Sequence, residues 1–352
     1  MNPTLIVAEI GCNHNGSEAL AMEMVSAAKE CGVDAVKFQT FRAADLISRF
    51  APKAEYQKIT TGTEDSQLEM TAKFELSHEA FLRLREYAFS LGLSAFSTPF
   101  DLGSIDFLAS VGQSTWKIPS GEITNLPYLQ RIARISRENR HIIVSTGMAS
   151  IEEIRDCLRV LKSGGVRDEE LTLLHCNTEY PTPDEDVNLL AIPDMKTRFP
   201  NIRIGFSDHS VGYIAAVGAV ALGCVMIEKH FTLDKNLPGP DQKASANPDE
   251  LRQLVENVRR AENMLRFQGK IVTQSESKNK AIARKSIVAS REIKQGEAFC
   301  ADNIACKRPG NGISPMEWYR VLGKTAERDF EADELISISG LLWQDESSAV
   351  EM

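Results

Sequence analysis

The feature that most constrains this 352-residue chain is an alternation of short apolar, β-branched runs with amphipathic helical stretches. Strand-like runs are read at Leu5–Glu9, Ala35–Gln39, Leu93–Ser97, Thr115–Ile118, Ile142–Ser145, Leu171–His175, Arg203–Phe206 and Val225–His230. Between them the periodicity predicts helices over Glu18–Cys31, Glu79–Leu91, Ile123–Ser136, Ile151–Lys162, Leu189–Phe199, Ile214–Ala221 and Asp249–Leu265. Gly32 stands where the first helix needs a left-handed residue, and Ser150 with Glu153 has capping-box spacing. Strands that alternate with helices pair in parallel, and eight such units close into a (β/α)8 barrel, an α/β fold. The stretch Thr40–Phe74 is too long for a simple connector, which marks it as a lid, a substrate-binding excursion or a disordered segment.

After Arg266 the pattern changes. Residues 267–282 are polar and linker-like, and from Ala283 short strand-like pieces such as SIVAS and LISIS alternate with turns at Gly296 and Gly310–Gly312. A barrel domain over 1–266, a linker over 267–282 and a small, mostly β domain over 283–347 are therefore expected, with a frayed end at Asp345–Met352.

A net charge of -9 argues against nucleic acid, whose phosphates demand basic patches. No apolar run approaches the roughly 20 residues of a membrane span, and the start runs directly into a strand without a secretory signal. The seven cysteines contain no CxxC pair, which fits reduced thiols in a cytoplasm better than disulfides or zinc.

Barrel enzymes do their chemistry at the C-terminal ends of the strands. Here those ends carry Glu9, Lys37 with Gln39, Ser97 with Thr98, Lys117 with Ser120, Ser145 with Thr146, His175 with Asn177, Ser207 with His209, and Glu228 with His230. Alternation places Lys37, Gln39, Glu228 and His230 toward the mouth and turns Lys229 away. His209 and His230 end neighbouring strands and are candidate ligands of a divalent metal; the surrounding donors suit manganese, magnesium or cobalt better than a closed tetrahedral zinc site. Two hydrogen-bonded structural histidines are the competing reading, and His175 and His14 are third and fourth ligand candidates, read first as hydrogen-bonding residues. Lys37 and Lys117, with hydroxyls from Thr98, Ser120, Ser145 and Ser207, form a cradle for phosphate and carboxylate groups. There is no GxGxxG and no GxxxxGKS, so nucleotide binding has no support.

The segments AEIGCNHNGS (8–17), VKFQT (36–40), STPFD (97–101), KIPSGE (117–122), VSTGMAS (144–150), HCNTEYPTP (175–183), GFSDHS (205–210), EKHFTLD (228–234), GPDQKAS (239–245) and KRPGNGISP (307–315) occur in this order. Together they resemble the bacterial N-acetylneuraminate synthase family, which includes legionaminate and pseudaminate synthases. The resemblance implies a (β/α)8 barrel with a small C-terminal SAF (antifreeze-like) domain in a domain-swapped homodimer. It implies metal ligands at His209 and His230, and phosphoenolpyruvate contacts at Lys37, Thr98, Lys117, Ser120, Ser145, Asn177, Thr178 and Ser207. Sugar contacts fall on Glu9, Gln39, Tyr180, Asp241 and Arg308, the last reaching the N-acetyl group from the partner subunit. Gln242 and Thr178 depart from residues common in relatives, and both flank sugar or phosphoenolpyruvate positions.

The implied reaction is a metal-dependent condensation of phosphoenolpyruvate with open-chain N-acetylmannosamine, releasing phosphate by C–O cleavage. The same reaction on 2,4-diacetamido-2,4,6-trideoxymannose, giving legionaminate, is the alternative, with the pseudaminate isomer behind it. Glu9, Lys37, Lys117 and Glu228 are the expected catalytic residues, and the sequence does not choose which glutamate handles protons. A Schiff-base aldolase is a rival within enzymes, and a carbohydrate- or ice-binding protein is the rival from another class.

Overall fold

A computed structural model describes residues 3–62, 64–135, 140–266 and 269–341. The end expected to fray, Asp345–Met352, lies outside the described residues, as does Ser136, the expected end of a helix. Chain contacts divide the molecule into two compact units, Met1–Arg266 and Phe267–Met352. No described helix is long and apolar enough to cross a membrane.

The first unit holds eight parallel strands: β1 (Leu5–Gly11), β2 (Ala35–Thr40), β3 (Ser94–Pro99), β4 (Thr115–Ile118), β5 (His141–Ser145), β6 (Leu171–His175), β7 (Arg203–Asp208) and β8 (Met226–His230). Their order is β3-β2-β1-β8-β7-β6-β5-β4, with β3 beside β4 at the seam that closes the barrel. There the Gln113 side chain donates to Ser97 O at 2.9 Å and accepts from Ser97 N–H at 2.8 Å, so a side-chain amide stands in for a backbone ladder.

The outer helices are α1 (Glu18–Glu30), α5 (His78–Ser90), α6 (Leu102–Ser110), α7 (Leu126–Ala133), α8 (Ile151–Ser163), α9 (Ala191–Arg198), α10 (Ile214–Ala221) and α11 (Pro248–Met264). The Ser150–Glu153 capping box opens α8, and Gly32 follows α1 at φ +84°. Helix α7 starts later than its apolar pattern suggests, because the Asn125 side chain accepts from Tyr128 N–H and fixes the N-cap there. The excursion after β2 folds into three short helices, α2 (Ala43–Leu46), α3 (Glu55–Thr61) and α4 (Gln67–Ala72).

Alternation sorts each strand into two faces. Ile6, Ala8, Ile10, Val36, Phe38, Trp116, Ile142 and Val144 join the large core beneath the helices. Val7, Ala35, Phe96, Ile143, Leu174 and Met226 form a separate apolar cluster inside the barrel. Gly205 belongs to this layer, and a Cβ there would stand 2.6 Å from Leu174 Cδ2 and 2.9 Å from Met226 O. The barrel floor is thus a filled plug, and the next inward residues, two positions further along each strand, must face the mouth.

The second unit carries β9 (Ser286–Ala289) antiparallel to β10 (Ile304–Lys307) around a core that includes Ile287, Phe299, Phe330 and Ile336. Two features differ from the sequence expectation. The stretch read as a linker holds α12 (Gln274–Ala283), which Thr273 and Glu276 open with a capping box although none of its residues is buried. LISIS contributes only an isolated bridge, Val288 to Leu335, rather than a strand. A second short helix, α13 (Trp318–Val321), completes this unit.

At the opposite end of the barrel from the mouth, Arg140 precedes β5 and Glu170 precedes β6, their side chains 3.3 Å apart and buried. Arg140 also donates to the carbonyls of Ala133, Ile135 and Gly165, tying the α7–β5 connection to the α8–β6 connection. Burial alone would raise the Glu170 pKa, but the Arg167 N–H and the Arg140 guanidinium outweigh it and hold it below the ordinary value. A depressed carboxylate contributes stability above its unfolded pKa and loses it as pH falls through the folded one. Glu170→Gln should therefore cost roughly 1–3 kcal/mol at pH 7. In denaturant titrations that gap should narrow as pH falls below the usual carboxylate range, and a gap constant with pH would contradict the assignment.

Candidate active site

Above the apolar plug, strands β1, β2, β4 and β8 turn Glu9, Lys37, Lys117 and Glu228 inward, all at most 4% exposed. Each follows an inward residue by two positions, as Val7 precedes Glu9 and Met226 precedes Glu228, so the period of the strand alone puts them in one layer. Lys37 Nζ lies 2.9 Å from Glu9 Oε2 and 3.7 Å from Glu228 Oε2. Lys117 Nζ grips both Glu228 oxygens, at 2.7 and 2.8 Å. The buried ammonium groups thus find their counter-charge in protein carboxylates. Ser207 donates to Glu228 Oε1 at 3.0 Å, Gln39 to Glu9 Oε1 at 3.0 Å, and Lys37 to Thr98 Oγ1 at 3.2 Å.

The environment drives the two glutamates apart. Burial pushes Glu9 up to about 7 against the pull of Lys37. Glu228 is equally buried, but Lys117 and Lys37 overcome that and hold it well below the usual carboxylate range. Glu228 is the fixed anion of the layer, and Glu9 is the group able to exchange a proton near neutrality.

One side of this layer is occupied by aromatic rings. His209 and His230 lie with centroids 5.3 Å apart, and Tyr180 stacks on His209 at 4.2 Å while its ring meets His230 edge-on at 5.4 Å. His209 Nδ1 donates to the carbonyl of Asn177, which leaves the Nε2 lone pair free, 3.3 Å from Ser207 Oγ, whose one hydroxyl proton goes to Glu228. His230 Nδ1 is buried and has no hydrogen-bond partner among the described residues; Asp241 Oδ2 is 3.9 Å away. Burial lowers the pKa of His209 to about 4, and burial together with His209 takes that of His230 well below the ordinary value. Two neutral imidazoles with free lone pairs suit a divalent cation, and the donor set fits that group. No three His, Cys, Asp or Glu side chains are grouped to hold a cation among the described residues.

A cavity of about 320 Å³ opens over this layer and is lined by Glu9, Lys37, Gln39, Thr98, Lys117, Ser120, Ser145, Thr178, Tyr180, Ser207, His209, Glu228, His230 and Asp241. Of the residues expected from the barrel, Asn177 does not line the cavity. Asn177 closes its own turn, accepting from Glu179 N–H and donating to Asp186 O, and serves the cavity through its carbonyl on His209. Arg308 lies in the C-terminal unit just after β10, with no ion pair among the described residues. His175 turns outward to Val187 O and the Phe206 ring, and His14 Nδ1 accepts from Gly16 N–H, so both are hydrogen-bonding residues.

Three features were not legible beforehand. Leu46, Ile47, Gln67, Met70 and Phe74 form a wall contributed by the excursion after β2, whose length was the only signal. Cys12 lines the cavity and donates its thiol to Asp241 Oδ2 at 3.4 Å; burial, then the Asp241 charge, keeps that thiol protonated. Gln242 is fully buried, donating to Asn13 O and accepting from Thr232, so it braces the loop carrying Asp241 and does not line the cavity.

Comparison with known proteins identifies the family. Residues 24–270 match the NeuB family model and residues 284–342 match the SAF domain. The N,N'-diacetyllegionaminic acid synthase of Campylobacter jejuni is 48% identical over 96% of this chain and 99% of its own length. The enzyme of the same name from Legionella pneumophila is 42% identical over 96% of this chain and 93% of its own. The solved N-acetylneuraminic acid synthetase of Leptospira borgpetersenii, a complex with citrate, matches with a TM-score of 0.68 and 32% identity, covering 79% of this chain and 90% of that one. The chain therefore belongs to the NeuB family of sialic-acid-type synthases, with its barrel followed by a SAF domain.

Proposed function

We infer that this protein condenses phosphoenolpyruvate with the open-chain aldehyde of an N-acetylated amino sugar. The observation that carries the reading is the buried layer in which Lys37 and Lys117 flank Glu228 beside two neutral imidazoles, all facing one cavity. Phosphoenolpyruvate brings a phosphate and a carboxylate, and Lys37, Lys117 and the hydroxyls of Thr98, Ser120, Ser145, Thr178 and Ser207 are the groups to receive them. In that water-poor layer each ammonium acts far more strongly than it would in solvent.

Carbon 3 of phosphoenolpyruvate attacks the aldehyde carbon, and the positive character left at carbon 2 is quenched by water. The tetrahedral species then loses phosphate with cleavage of the C–O bond; one proton of the water goes to the Glu9 carboxylate, replacing the one it gave up, and the other leaves with the phosphate as the ketone forms. Glu9, poised near neutrality, donates the proton that turns the aldehyde oxygen into a hydroxyl, while Glu228 stays ionised and holds both lysines in place. A divalent cation, manganese before magnesium or cobalt, held by His209 and His230 would polarise the aldehyde oxygen as a Lewis acid.

For the acceptor we place 2,4-diacetamido-2,4,6-trideoxymannose first and N-acetylmannosamine second. Two relatives named N,N'-diacetyllegionaminic acid synthase support that order. So does the apolar wall of Leu46, Ile47, Met70 and Phe74, which suits a deoxy methyl group better than a hydroxymethyl group. Arg308 is assigned to the acceptor's N-acetyl group, delivered by a partner subunit in a domain-swapped homodimer. Seven free thiols suit a reducing cytoplasm as the compartment.

The deciding measurement is phosphate release from phosphoenolpyruvate with each sugar in turn. The diacetamido sugar should give the highest kcat/KM, by about tenfold or more for one well-fitted apolar contact. A pyruvate adduct trapped by borohydride would instead identify a Schiff-base aldolase. Stripping divalent cations should abolish turnover and readdition of Mn2+ should restore it; full activity in the stripped protein would remove the cation from the mechanism. Glu9→Gln should lower kcat by about 10²–10⁴ with little change in the KM for phosphoenolpyruvate. A raised KM at unchanged kcat would make Glu9 a binding residue only.

A further inference from the structure

Lys229 has no place in the cavity. Alternation turns it to the outer face of β8, where it is 1% exposed, and Asp208 beside it on β7 is fully buried. The two residues are register partners, and Lys229 Nζ lies 2.9 Å from Asp208 Oδ2. The same ammonium donates to the carbonyl of Ser210. Asp208 Oδ1 in turn accepts from Ser210 N–H at 2.9 Å and from its hydroxyl at 2.6 Å.

Each of these charges sits one residue before a histidine of the site, and both also grip the residue that follows His209. Desolvating two ions on the apolar side of a barrel costs several kcal/mol each before their attraction is counted. Two aliphatic side chains would fill that space without the cost, so packing does not account for the pair. Its geometric effect is specific: residues 208 and 210, on either side of His209, are bonded to the residue that precedes His230. The other tethers complete the frame, with Thr182 N–H donating to His209 O at 2.9 Å and Ala246 N–H to His230 O at 2.8 Å.

We propose that Asp208, Lys229 and Ser210 are positioning residues, a buried clamp on the outer face of the barrel that fixes the separation of the two imidazoles for a divalent cation. The clamp rests on the two-histidine reading of the site given above. The Arg140–Glu170 pair is an internal control, because it is just as buried but stands at the other end of the barrel.

The test is equilibrium Mn2+ binding to the full-length, metal-stripped protein, followed by titration calorimetry and by the electron paramagnetic resonance signal of free Mn2+. Asp208→Asn/Lys229→Gln removes both charges and leaves neither ion alone. It should weaken Mn2+ binding by about 10- to 100-fold, the usual effect of losing groups that orient metal ligands. Ser210→Ala should weaken it in the same direction by a smaller factor, and Arg140→Met/Glu170→Gln should leave it unchanged even where Tm falls. His209→Ala and His230→Ala separate the two levels: if they bind Mn2+ like the wild type, the two-histidine site itself is wrong. If they lose Mn2+ while the folded clamp variants bind as tightly as the wild type, the clamp is overturned. Equal loss in the Arg140/Glu170 control would overturn it as well, since the effect would then be one of general stability. Should the double variant fail to fold, an unchanged affinity in Ser210→Ala overturns the clamp.

Discussion

Two ammonium groups and two carboxylates share one buried layer of the barrel, and the rest of the catalytic unit is arranged around keeping them paired and dry. Removing any one partner of such a cluster would leave an uncompensated charge, a loss of about 3–5 kcal/mol. The apolar plug beneath them, with Gly205 trimmed to fit Leu174 and Met226, keeps water from entering from below. The hydroxyls of Ser207 and Thr98 and the amide of Gln39 fill the remaining hydrogen-bonding positions around Glu228, Lys37 and Glu9. The result is a nearly neutral, preorganised layer in which each lysine is already paired with a carboxylate.

The same strand period that fills the interior also builds a second polar system outside it. On β7 and β8 the inward residues Ser207, Glu228 and His230 face the cavity, while Asp208 and Lys229 face the helices and bond to each other. A charged residue in a strand facing the core is costly, and here it lies within one residue of each histidine. Chemistry on one face and its support on the other therefore come from adjacent positions of the same two strands.

Much of this was legible in the chain itself. Parallel strands buried on both faces read as continuous apolar runs, so the eight strands stand out, and alternation sorted Lys37 and Glu228 from Lys229 before any contact was known. The rest was not legible. The roles of Glu9 and Glu228 depend on which lysines come within reach, and Lys117 is 111 residues from Glu228 in the chain. The wall from the excursion after β2 has no periodic signal, because its helices are short and only some of their residues face the cavity. Asn177 serves through its backbone carbonyl, which any residue type supplies equally.

The sequence by itself determined the barrel, the inward set of residues and the family, because period, capping and motif order are local properties that survive without coordinates. Tertiary structure alone decided the electrostatics. Whether a buried carboxyl is a fixed anion or a proton carrier depends on distances of a few ångströms across the barrel: Glu228 lies between two ammonium groups and Glu9 meets only one. It also decided that Lys229 and Asp208, unremarked as a pair in the chain, face each other behind the two histidines, since only the β7–β8 register brings them together.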